Sequence, residues 1–128
     1  MTTRLTLEQL RAQNAWKAAS AHADKSYANL AKGLPALVMG SGLLQVLMFL
    51  HEKGSKDPGN AHKQLCKDLT EWLAARHGLP VEFQAFIPKL MAVDAQTFRD
   101  VTAEAFAWLR WMRQIAAAVS AAGDGKGD

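Results

Sequence analysis

Residues 94–121 read DAQTFRDVTAEAFAWLRWMRQIAAAVSA, and this stretch decides the fold. Phe98, Val101, Ala105, Trp108, Leu109, Met112, Ile115 and Val119 recur at helical spacing and form one apolar stripe. Asp94 stands just before the pattern, where a short acceptor side chain caps a helix. A helix this long, with a continuous apolar face, needs other helices to cover it.

Moving toward the N-terminus, every long segment repeats the helical period and none alternates like a strand. Thr6 with Gln9 makes a capping-box arrangement ahead of Leu7. The first helix is expected to run from there to about Lys32, ending at Gly33, with Trp16, Ala19, Ala23, Tyr27 and Leu30 on its packing face. A short helical piece opened by Pro35 is expected next, closing near Gly40. Gly42 leads into an apolar helix from Leu43 to about Lys53, and 54–59 reads as a polar loop. Ala61, Leu65, Leu69, Trp72 and Leu73 mark a helix over 60–77, ended by Gly78 and Pro80. A shorter helix spans about 82–93, with Pro88 inside it. The expectation is an all-α, compact single-domain bundle of five to six helices over residues 1–122, with a flexible Gly-rich tail over 123–128.

Composition agrees with that outline. The chain has 128 residues, 49% of them hydrophobic and four of them Trp, enough to build one core without disulfides or metal. A single cysteine, Cys66, excludes an intramolecular disulfide, and no signal peptide is read at the N-terminus, so a cytoplasmic location is expected. The most apolar run, 34–50, is broken by Pro35, Gly40, Ser41 and Gly42 and reads as a buried core segment, not a membrane span.

Little in the chain points to catalysis. His62 and Cys66 lie four apart on one helical face, half of a metal site, but no third and fourth ligand stands nearby. His22, His51 and His77 fall on separate helices or helix ends. Gly40-Ser41-Gly42 has neither the dinucleotide-binding glycine spacing nor the P-loop lysine, so it reads as a turn between helices. Asp68 and Glu71, three apart, read as solvated carboxylates. No enzyme activity, no metal and no cofactor is expected.

The basic residues carry more information. The net charge is only +3, which permits a polyanionic partner without requiring one. On a continuous first helix, Arg11, His22, Lys25 and Lys32 would gather within roughly 80°, opposite Trp16 and Tyr27. Lys56, Lys63 and Lys67 form a second stripe, and Arg99, Arg110 and Arg113 a third, with Phe106 among them. Such stripes suit a phosphate backbone, since cations displace condensed counterions without reading bases. They equally suit the solvated outer face of any bundle.

Two segments narrow the choice. The first is Tyr27, Leu30, Lys32, Leu34-Pro35, Gly42-Leu43, Gln45, Phe49-Leu50 and Lys53; the second is 104–113, EAFAWLRWMR, closing in an alanine-rich end. In this order and separation they resemble the small (fifth) subunit family of the type III-B (Cmr) CRISPR RNA-silencing effector complex. The resemblance covers nearly the whole chain and consists of packing and turn residues. It departs at Gly40-Ser41, where the family more often has polar residues before the Gly-Leu.

The resemblance implies a non-catalytic protein that stacks in several copies inside the effector during antiviral RNA silencing. Its implied partners are the backbone and large subunits, further copies of itself, guide RNA and target RNA. Lys32, Lys53 and Arg113 fall where the resembling segments carry a basic residue. Arg11, Lys25, Lys63, Lys67 and Arg110 are candidate RNA-binding residues on the stripe argument alone. The alternative is a helical scaffold or oligomerisation subunit that touches protein and never RNA.

Overall fold

The computed structural model describes residues 4–22, 24–56 and 60–124, with side-chain surroundings given as far as residue 121. Among the described residues six α-helices follow one another: α1 (Leu7–His22), α2 (Lys25–Ser41), α3 (Leu43–Lys56), α4 (Ala61–His77), α5 (Phe83–Ala92) and α6 (Ala95–Asp124). Among the described residues there is no strand. The expected all-α bundle is therefore the fold. The four residues after α6, which belong to the expected tail, lie outside the described residues.

The N-terminal half differs from its sequence reading in three places. The first helix does not continue to Lys32 but gives way to a second that starts at Lys25. Asp24 is the reason. Its backbone is extended, and its carboxylate accepts from the Tyr27 amide at 2.9 Å, so it caps a new helix. The two helices both pack on α6. Trp16, expected on the packing face, is 58% exposed; Ala15 and Ala19 are the buried residues of α1.

The second difference is at Gly33 and Pro35. Neither interrupts α2, although Pro35 deprives the helix of one amide donor. Ala31, Leu34 and Val38 on either side are buried in the core, and their burial offsets that cost. The helix stops instead at Gly42. Its φ of 88° is favourable only for glycine, and its amide donates to the Val38 carbonyl at 2.8 Å.

The third difference is the end of α3, which runs past Lys53 to Lys56. Residues 54–56 of the expected loop are thus helical, and 57–59 lie outside the described residues. The remaining boundaries follow their signals. Thr6 and Gln9 cap α1 reciprocally, Thr6 Oγ1 accepting from the Gln9 amide at 3.1 Å and Gln9 Oε1 from the Thr6 amide at 2.7 Å. Asn60 caps α4 through the Lys63 amide, and Asp94 caps α6 through the Thr97 amide. Around α6 the core closes from α1, α2 and α4, while α3 and α5 both pack on α4. Trp108, Tyr27 and Phe86 are its largest fully buried side chains.

The α3–α4 contact depends on one missing methyl. A Cβ on Gly54 would lie 2.7 Å from the Lys63 Cα, inside any allowed contact, and backbone cannot yield as a flexible side chain does. Gly54→Ala is expected to destabilise the protein by about 1–3 kcal/mol in urea unfolding, although alanine is the better helix former. A gain in stability would show that α3 and α4 approach less closely than this.

Candidate nucleic-acid interface

The polar residues at the helix contacts determine which charges are left for a partner. Glu104 lies on the apolar stripe of α6 and is 7% exposed. It accepts from Arg11 Nε at 2.7 Å and Nη2 at 2.8 Å, and from Trp72 Nε1 at 2.9 Å. Burial opposes its ionisation. The hydrogen bonds from Arg11 and Trp72, with the positive charges of Arg11 and Arg76, outweigh burial and hold its pKa below the usual glutamate range. The same pairing, led by the hydrogen bond to Glu104, raises the Arg11 pKa. Arg76 also lies over the Trp72 ring, 5.9 Å from its centroid.

A second buried pair joins α2 to α4. Tyr27 donates its hydroxyl to Asp68 at 2.7 Å, both residues being buried. The reading of Asp68 as a solvated carboxylate is thus corrected. Burial raises its pKa, only partly countered by the Tyr27 hydrogen bond. Burial likewise raises the Tyr27 pKa, and the negative charge of Asp68 adds to it. A third contact, Trp108 Nε1 to Asn14 Oδ1 at 2.8 Å, ties α6 to α1.

The sequence reading missed these partners, yet a signal was present. Glu104 lies three residues after Val101 and four before Trp108, and Asp68 three after Leu65 and four before Trp72. Both therefore fall on apolar stripes, where a carboxylate must find a donor.

The eight candidate cations separate into groups. Arg11 is turned inward, with Nη1 also 2.8 Å from Glu8. The helix break removes it from the stripe of Lys25 and Lys32, which are exposed seven residues apart on α2. Lys53 near the end of α3 and Lys63 and Lys67 on α4 are exposed on either side of the α3–α4 junction, where the Lys53 carbonyl accepts from Asn60 Nδ2 at 3.1 Å. Lys63 and Lys67 line a cleft of about 350 Å³ there. Arg110 borders a shallow groove with Glu8 and Trp111, and Arg113 is exposed on α6. Among the described residues none of the seven outer cations is ion-paired; Lys56, their neighbour, is bound to Glu52 at 2.9 Å.

Reactive chemistry is sparse among the described residues. No three of His, Cys, Asp and Glu converge as metal ligands. The Cys66 thiol is buried, 3.9 Å from the Leu47 carbonyl oxygen, and burial pushes its pKa up to about 11, away from thiolate reactivity. His62 instead meets Phe49 edge to face. Among the described residues no helix is long and apolar enough to cross a membrane.

Residues 7–119 match the family model described as CRISPR-associated protein (Cas_Cmr5). The chain belongs to the Cmr5 family. A solved Cmr5 family protein from Thermus thermophilus has the same fold, with a TM-score of 0.70 and 25% sequence identity over 90% of this chain and 98% of that one. As a Cmr5 family member the chain is a subunit of a Cmr-type CRISPR complex, and its partners include other subunits of that complex. The match spans all six helices, from the first residue of α1 into the last turns of α6.

In this Cmr5 family protein, Glu104 should contribute through its charge. Glu104→Gln is expected to lower stability by about 2 kcal/mol at pH 7, the usual size for a hydrogen bond to a charged group. Because the folded pKa is depressed, that contribution is present above the ordinary glutamate value of about 4.3 and is lost as pH falls through the folded value. Urea unfolding at pH 7 and pH 3 should show the gap close in acid. An equal gap at both pH values would assign the effect to packing alone.

Proposed function

We propose that this chain is a non-catalytic small subunit of a type III-B effector, stacking in several copies and contacting the backbone of guide or target RNA through its outer cations. The observation that carries this reading is the set of exposed lysines and arginines outside the buried network, combined with membership of the Cmr5 family. Cations not satisfied within the protein release counterions when they meet phosphates, and do so whatever the base sequence. An effector programmed by arbitrary guides requires that indifference.

Lys25 and Lys32 on α2 form one contact strip, and Lys53, Lys63 and Lys67 at the α3–α4 junction another. Arg110 and Arg113 supply cations from α6. Arg11 contributes least, because its charge is already matched by Glu104 and Glu8. The subunit's role is then binding energy, shape and order of assembly, performed in the cytoplasm.

A protein-only scaffold is the second reading, and one observation favours it. Leu37, Met39, Met48 and Phe49 are all exposed, with Leu37 and Phe49 bordering a shallow apolar groove between α2 and α3. Charge reversal separates the two readings. Binding of a single-stranded RNA to the full-length protein should weaken with salt by a slope of roughly −0.7 per phosphate contact. Lys63→Glu with Lys67→Glu should flatten that slope and lower affinity by on the order of tenfold, leaving the thermal midpoint unchanged. No salt-sensitive RNA association, alone or in the assembled complex, would leave the scaffold reading.

A further inference from the structure

The cleft at the α3–α4 junction has features that a phosphate-binding strip does not require. His51 and Phe83 stack at its wall, with ring centroids 3.8 Å apart and planes within 5°. Val81 adds apolar surface, and Lys63 and Lys67 stand along one side. Among the described residues no carboxylate lines it. Thr70 also lines the cleft and is 4% exposed, with its hydroxyl oxygen buried beneath the surface. The Cys66 thiol beside it offers only a weak interaction. The volume, about 350 Å³, lies in the range of small-ligand sites.

An aromatic pair at the wall and two ammonium groups with no opposing carboxylate among the described residues suit one kind of occupant. It has a planar heterocycle and a phosphate. We propose that this cleft takes a single nucleotide, its base against the His51–Phe83 pair and its phosphate at Lys63 and Lys67. The inference rests on the reading that the chain meets RNA, and deepens it: the junction holds an unpaired base as well as a backbone. Base stacking on an aromatic wall is tolerant of sequence, so it remains compatible with arbitrary guides.

Two measurements on the full-length protein test this. In the first, adenosine 5′-monophosphate is titrated while backbone amide resonances are followed, with inorganic phosphate as the control. Saturable shifts at Ser55, Lys63, Thr70 and Phe83 with the nucleotide, and weaker ones with phosphate, are expected. Ser55 is exposed at the cleft's edge, so Ser55→Trp should fill the space, keep the thermal midpoint and abolish the shifts. Absence of shifts at millimolar nucleotide, identical shifts with phosphate, or full persistence in Ser55→Trp would each overturn the proposal. In the second, a short oligoadenylate is compared with an abasic oligomer of equal length. Loss of the bases should weaken binding roughly fivefold or more in the wild type but not in Ser55→Trp. Equal binding of the two oligomers by the wild type would remove the base pocket while leaving the phosphate-backbone reading intact.

Discussion

The bundle depends on a buried carboxylate. Glu104 is placed on the inner face of α6 and receives donors from α1 and from α4 at once. A carboxylate in that position is tolerable only when its donors arrive in the right places, so it constrains three helices together. Hydrophobic burial drives the collapse, but apolar faces can slide against one another. A bidentate guanidinium and an indole N–H cannot. The Tyr27–Asp68 and Trp108–Asn14 contacts extend the same principle to α2 and to the α1–α6 seam.

This inner network also shapes the outer surface. By engaging Arg11 and drawing Arg76 toward Trp72, it uses cations that the sequence places near other candidates. What remains outside is arranged by the helix break at Asp24 and by the close approach at Gly54. The first sets Lys25 and Lys32 on a helix of their own; the second brings the end of α3 against Lys63 and opens the neighbouring cleft. Surface chemistry here is a consequence of packing requirements at positions that carry no charge.

Much of the fold is legible in the sequence because its signals are local. The caps at Thr6, Asn60 and Asp94 act within one helical turn, and the α4 and α6 stripes show which face must be covered. Where two local signals compete, the sequence misleads. Asp24 reads as one polar residue within a helical pattern, and Gly33 with Pro35 reads as a stop. Burial of Ala31, Leu34 and Val38 is what carries α2 through, and that energy comes from residues distant in sequence.

The sequence by itself determined the helical class, most helix ends, the Trp108 core face, the sparse inventory of reactive groups and the family resemblance. Each depends on periodicity, on side chains within a turn, or on the order of residues. Only the tertiary structure decided that Arg11 faces a carboxylate 93 positions away, that Asp68 is buried under Tyr27, and that His51, Phe83, Thr70 and two lysines share one cleft. The physical reason is that these juxtapositions come from helices crossing. The angle and register of a crossing are set by the whole core, and no single stretch of chain encodes them.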